Sequence, residues 1–137
     1  MRLAEILGIR TIQPISRGKA IRMVRRAPIF RSMSSAALSD LIDESAQTFY
    51  DTETVIVRQG DRAEKVYMVI SGRLRVVCEE SQKEVSVADL GPGDVFGEMA
   101  VLGSQLRSAN VITLERSNVL EVPGPVFIAA LKQSRQS

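Results

Sequence analysis

The sequence predicts a mainly β domain with flanking helices, an α+β chain whose strands form a sandwich or a barrel. Three observations carry this. Between Thr48 and Val122 apolar residues recur at every second position in short runs. Turn signals interrupt those runs every eight to twelve residues, the spacing of sandwiches and barrels. Before Ala46 and after Pro125 the apolar spacing is helical instead.

Residues 1–31 read as helical segments with breaks. Leu3, Ile6, Leu7 and Ile9 form a short apolar stripe. Pro14 interrupts it, because proline lacks an amide donor and clashes with the preceding turn. Arg17 to Arg26 is a second short helix with Ala20, Met23 and Val24 on one face, ended by Pro28. Ser34 or Ser35 caps the next helix, where Ala37, Leu38, Leu41 and Ile42 fall at helical spacing and which ends near Ala46.

From Thr48 the period changes to two. Val55 and Val57 alternate with Ile56 and Arg58, and Gly60-Asp61 marks a turn. Lys65 to Ile70 is a strand with Val66, Met68 and Ile70 on one face, closed by Ser71-Gly72. Arg73 to Cys78 places Leu74, Val76 and Cys78 on one face. Glu79 to Lys83 is a polar hairpin loop, and Glu84 to Leu90 is the returning strand. Gly91-Pro92-Gly93-Asp94 is a strong turn. Asn110 to Leu114 and Asn118 to Val122 are the last strands, joined at Glu115-Arg116-Ser117. Pro125 opens a final helix, to about Gln133, carrying Val126, Phe127, Ala130 and Leu131; the tail from Gln133 to Ser137 is expected to fray.

Composition narrows the chemistry. The chain has 137 residues, enough for one domain with a real core, and only 4% aromatics, so that core is aliphatic. There is no His, which removes the commonest general base and metal ligand. With Cys78 as the one cysteine, thiolate zinc is excluded too. Cys78 forms no internal disulfide, so a reducing, cytoplasmic setting is expected. No apolar run approaches the roughly 18 residues that cross a bilayer, and Met1 to Gly8 lacks the apolar stretch of a secretory signal. Charge is uneven. Residues 1–31 hold eight basic groups against Glu5, a net of +7, while the rest holds ten basic and fifteen acidic groups, a net of −5. The basic leader is either a solvated helical arm docked on its own acidic domain or a contact for an acidic partner, a membrane surface or nucleic acid.

Between Gly93 and Ala109 the strand alternation fails. Phe96-Gly97-Glu98-Met99-Ala100-Val101-Leu102-Gly103 is too short for a standard helix. A single helical turn after Gly97 leaves unpaired amides that favour an anion. Arg107 supplies a permanent charge with a planar fork of donors, which suits phosphate oxygens. Ser108 adds a hydroxyl and an amide. Glu98, itself an anion, suits a sugar hydroxyl instead. A cation and an acceptor on one short loop describe a site for a group both anionic and polyhydroxylated. Each residue also has a plainer reading: Arg107 paired with Glu98 on the surface, Glu98 as a helix cap, Ser108, Gly60 and Gly72 as turn residues, Arg73 and Arg75 as solvated, and Tyr67 as core.

Further markers precede this cassette in order: Pro28-Ile29-Phe30, Arg58-Gln59-Gly60-Asp61, Val66 to Gly72, and Leu90-Gly91-Pro92-Gly93-Asp94. With them the chain resembles, from about Val24 to Leu131, the cyclic nucleotide-binding domains of bacterial catabolite activator-type regulators, protein kinase regulatory subunits and cyclic nucleotide-gated channels. The resemblance implies a double-stranded β-helix, or jelly-roll, barrel with an N-terminal helical arm, a short phosphate-binding helix and a short C-terminal helix. It implies a basic arm over 1–23 and a binding domain over 24–137. It also implies that Arg107 pairs with a cyclic phosphate whose oxygens bond the amides of Ala100 and Ser108 and the Ser108 hydroxyl. Glu98 accepts from the ribose 2′-hydroxyl beside the Gly97 backbone. Met99 and Ala109 complete the cassette, and Val85, Val87, Leu90 and Val95 line the base side.

The expected ligand is a cyclic nucleotide, cyclic AMP ahead of cyclic GMP, with no cofactor, metal or catalytic residue. The expected partner is an effector protein, or the remainder of a larger chain, reached through the basic arm. Two departures stand out: no proline precedes Arg107 in Gly103-Ser104-Gln105-Leu106, and no long helix follows the strands to close over the base. Three other readings stay open. The first is a domain of this shape that binds no nucleotide and serves as a docking module. The second is a sugar-metabolising or oxygenase enzyme on a similar jelly roll, which the lack of His disfavours. The third is a DNA-binding leader, for which no recognition-helix motif is present.

Overall fold

The computed structural model describes residues 13–136, so the stripe Leu3, Ile6, Leu7 and Ile9, and Ser137, lie outside the described residues. Helix α1 spans Arg17–Arg26. Ser16 caps it by accepting from the Lys19 amide at 3.2 Å, and Arg25 and Arg26 complement the dipole of its last turn. It stops at Ala27, before Pro28. A 3-10 turn over Pro28–Phe30 leads to α2 (Ser35–Asp43), capped by Ser34 accepting from the Ala37 amide at 3.1 Å. Helix α2 ends three residues earlier than its apolar spacing suggests, because Ala46 already begins strand β1 (Ala46–Tyr50).

The remaining strands are β2 (Val55–Val57), β3 (Lys65–Ser71), β4 (Leu74–Glu80), β5 (Lys83–Leu90), β6 (Val95–Phe96), β7 (Asn110–Thr113) and β8 (Ser117–Pro123). A five-residue helix, α3 (Glu98–Leu102), interrupts them, and α4 (Gly124–Gln136) follows. The strands form two four-stranded sheets of order β1-β8-β3-β6 and β2-β7-β4-β5, every pair antiparallel. Only β4 and β5 are both neighbours in sequence and neighbours in one sheet; the other strand-to-strand connections cross between sheets. That is jelly-roll order, with two open sheets face to face rather than a closed barrel.

The two central strands of the first sheet, β3 and β8, are buried on both faces, so their sequences read as nearly continuous apolar runs. Val66, Met68 and Ile70 of β3, with Leu120 and Val122 of β8, enter a core shared with the helices. Tyr67, Val69 and Val119 face the other way, into a core between the sheets. The helical core includes Ala20 and Val24 of α1, so position 23/24 falls inside one helix whose buried face belongs to one core. Phe30 and Phe127 meet edge to face within it, centroids 5.7 Å apart.

Several local expectations shift. The β4–β5 loop is only Ser81-Gln82, with φ of 49° and 67°. Positive φ at both central residues makes it the tight turn whose twist matches a hairpin, so β4 and β5 run further than the polar composition suggests. Leu74 and Val77 are the buried residues of β4, not Leu74, Val76 and Cys78, because a bulge between Val76 and Val77 flips the alternation. Strand β6 is two residues long and went unread. The C-terminal helix starts at Gly124 and reaches Gln136, where fraying was expected. At the other end, the Gln47 side chain accepts from the Ile15 amide at 3.0 Å and donates to its carbonyl at 2.9 Å. That bond pair and the buried Ala20 and Val24 fasten the described part of the basic leader to the domain.

Candidate functional site

Arg107 lies at the centre of the segment that breaks the strand pattern. Its backbone is clamped by the Gly60-Asp61 turn: the Arg107 amide donates to the Asp61 carbonyl at 2.8 Å, and its carbonyl accepts from the Gly60 amide at 2.9 Å. Its guanidinium is buried, with the residue 7% exposed. Nη1 donates to the Gly97 carbonyl at 2.9 Å and Nη2 to the Lys65 carbonyl at 2.6 Å. The guanidinium carbon lies 5.6 Å from the centroid of the Tyr67 ring. The fork is thus aimed by neutral backbone groups, and no carboxylate pairs with it among the described residues. The reading of Arg107 and Glu98 as a surface ion pair does not hold.

Gly97 is the N-cap of α3, at φ +85°. A Cβ there would be strained in the left-handed region and would lie 2.5 Å from Arg107 Nη1. No side chain caps α3, so the amides of Glu98, Met99 and Ala100 begin the helix without an intrahelical partner. Glu98 is half-buried at the first helical position rather than a cap. Val101 turns inward to the helical core, while Met99 is 69% exposed.

These groups share a cavity of about 230 Å³. Gly97, Glu98, Met99, Ala100, Arg107, Ser108 and Ala109 line one side, and Val57, Val76, Val95, Phe96 and Val111 give it an aliphatic wall. The structure therefore brings together all seven cassette residues singled out in the sequence. It does not bring Val85 and Val87 to the cavity: both stand exposed on the edge strand β5, at 45% and 62%. Leu90 packs at the margin of the core between the sheets, and Val95 does line the cavity. The sequence alone does not supply the Lys65 carbonyl, the Tyr67 ring, the Gly60-Asp61 clamp or the wall residues Val57, Val76 and Val111. The Arg58-Gln59-Gly60-Asp61 run was visible as a turn, but nothing local ties it to a residue 46 positions away.

A buried polar group sits beside the site. Glu121, on the face of β8 toward the second sheet, accepts from Lys65 Nζ at 2.8 Å and from the Tyr50 hydroxyl at 2.5 Å. Burial pushes its carboxyl up, but the hydrogen bonds from Lys65 and Tyr50 overcome this and hold it below its ordinary value. The bond to Glu121 raises the Lys65 ammonium, and burial, then the Glu121 bond, raises the Tyr50 phenol. Among the described residues no group of His, Cys, Asp or Glu could hold a metal ion, and no helix is long and apolar enough to cross a membrane.

Residues 47–134 match the family described as cyclic nucleotide-binding domain, and the chain belongs to that family. It is 35% identical over 91 residues to a Drosophila melanogaster cGMP-dependent protein kinase, isozyme 2, covering 65% of this chain and 10% of the kinase. It is 28% identical over 89 residues to the cAMP-dependent protein kinase type II regulatory subunit of the same organism, covering 65% of this chain and 24% of that one. Among solved structures, the regulatory domain of Toxoplasma gondii PKA crystallised with cAMP superposes with a TM-score of 0.83 at 29% identity, covering 86% of this chain and 45% of that chain. The chain thus spans a tenth to a quarter of the length of these two curated relatives.

Proposed function

We propose that this chain is a non-catalytic regulatory module that holds a cyclic nucleotide by its phosphate and ribose and relays occupancy through its helices. One observation carries the reading: Arg107 is buried, aimed by backbone carbonyls and paired with no carboxylate among the described residues, in the same cavity as Glu98 and the open amides of α3. Two of the five guanidinium donors point at carbonyls, which leaves part of the fork for the phosphate. Glu98 then takes the ribose 2′-hydroxyl, and the Ala100 and Ser108 amides the phosphate oxygens. A cavity of about 230 Å³ suits a ribose phosphate, being smaller than the roughly 300–1,000 Å³ of pockets that enclose drug-sized ligands. The base then lies beyond its rim.

Cyclic AMP is the preferred ligand in this reading. The cavity's own walls at Val57, Val76, Val95 and Val111 are aliphatic. The relay runs through α3, whose Glu98 faces the cavity while Val101 is buried in the helical core against α4. The output is an effector protein or the remainder of a larger chain, reached through the basic arm.

The test is titration of fluorescent cyclic AMP and cyclic GMP against wild type and Arg107→Ala. Loss of a buried charged partner costs about 2–5 kcal/mol, so Arg107→Ala binds roughly 30-fold or more weakly. Equal affinity of the two proteins sinks the assignment, and tighter cyclic GMP binding reverses the base preference.

A further inference from the structure

Tyr67 is buried in the core between the sheets, and in the sequence it reads as core alone. Its neighbours say more. It pairs in register with Phe96 of β6 on one side and Glu121 of β8 on the other. Its ring stacks on Phe96, centroids 4.9 Å apart and planes within 9°. Phe96 is the residue just before Gly97, so it opens the cassette. The opposite end of the cassette, Arg107, lays its guanidinium over the same Tyr67 ring at 5.6 Å. One side chain therefore touches both ends of the twelve-residue segment from Phe96 to Arg107. The peptide two residues before it supplies the Lys65 carbonyl that holds Arg107 Nη2.

We propose that Tyr67 is a positioning residue for anion binding: its ring is the platform that fixes the Arg107 guanidinium against Phe96 and Gly97. The proposal rests on the cyclic nucleotide reading of this cavity and assigns one more residue to it. The chemistry is that of a guanidinium held near an aromatic face, 5.6 Å from the ring centroid. The backbone carbonyls of Gly97 and Lys65 hold its two terminal nitrogens. The role is assigned to the ring, and Tyr67→Phe separates it from the hydroxyl, which also interacts with Arg107.

The test combines Tyr67→Phe, Tyr67→Leu and Arg107→Ala, alone and in pairs, with fluorescent cyclic AMP and cyclic GMP as probes. Tyr67→Phe is expected within about threefold of wild type, and Tyr67→Leu about tenfold weaker or more. On the Arg107→Ala background Tyr67→Leu is expected to add less than about twofold, since the residue it positions is gone. A second arm needs no nucleotide: the Arg107 side-chain protons of the free protein should show ring-current shifts by NMR in wild type and in Tyr67→Phe. Wild-type affinity in Tyr67→Leu overturns the proposal, as does an equal loss with and without Arg107. So does the absence of ring-current shifts in wild type, a result that stands even where Tyr67→Leu fails to fold. If wild type binds neither nucleotide, the reading of the cavity fails separately, and the NMR arm still decides whether Tyr67 holds Arg107.

Discussion

Arg107 and Glu98 stand out in the sequence because residue type narrows the roles proposed for them: a planar cation for an anion, an acceptor for hydroxyls. Gly97 shows how sharply the backbone answers to them. Its φ of +85° and the 2.5 Å approach of Arg107 to any Cβ exclude every other residue without rearrangement. Gly97→Ala is expected to cost about 1–3 kcal/mol in urea unfolding from backbone strain and to displace Arg107, lowering cyclic nucleotide affinity by at least tenfold in the same titration. Arg107→Lys should fare little better than Arg107→Ala. An ammonium has no second nitrogen with which to reach both the Gly97 and Lys65 carbonyls beside the Tyr67 ring. Tyr67 itself was illegible, because an aromatic in a buried strand has a sufficient explanation in packing.

The elements divide by how local their causes are. Helices α1 and α2 are written into adjacent residues: Ser16 and Ser34 cap them, and Pro28 ends the first. Ser34→Ala should cost about 1 kcal/mol, read as a lower urea midpoint with unchanged nucleotide affinity. Docking of α4 depends instead on Phe127, fully buried against Phe30. Phe127→Ala should cost about 3–5 kcal/mol through lost burial and the cavity left behind, measured the same way. What could not be read locally are the elements defined by partners. The two residues of β6 become a strand only beside Tyr67 and Met68, and the β4 bulge exists only against β5. The hairpin Ser81-Gln82 was masked because polar flanking residues look like loop when they line an exposed edge strand.

For the molecule as a whole, the class was legible from period and turn spacing, while the order of strands was not. Most consecutive strands sit in opposite sheets, and no local pattern records that. The acid and alkaline limits of stability belong to this scale, because Glu121, Lys65 and Tyr50 tie β8, β3 and β1 together. Glu121 is held below its ordinary 4.5, so the unfolded chain takes up its proton more readily; its contribution is present above about pH 4.5 and lost as pH falls through the lower folded value. Lys65 and Tyr50 are raised above 10.5 and 10.0, so their contributions are complete below those values and lost as pH rises beyond them. Thermal melts across pH should therefore show a plateau between roughly pH 5 and 10 with a fall on each side, and Glu121→Gln should flatten the acid limb. The exposed pairs Arg17–Asp43 and Arg75–Asp89 add little, being screened by solvent.

The alternation along β3 has a consequence for how such a module can diverge. Its odd positions, Lys65, Tyr67 and Val69, look toward Arg107 and the space between the sheets, while Val66, Met68 and Ile70 look toward the helices. Substitutions on the two faces of this seven-residue strand therefore meet different neighbours. In the proposed reading, a change on the first face alters how the anion is held. A change on the second alters how the helices pack against the sheet.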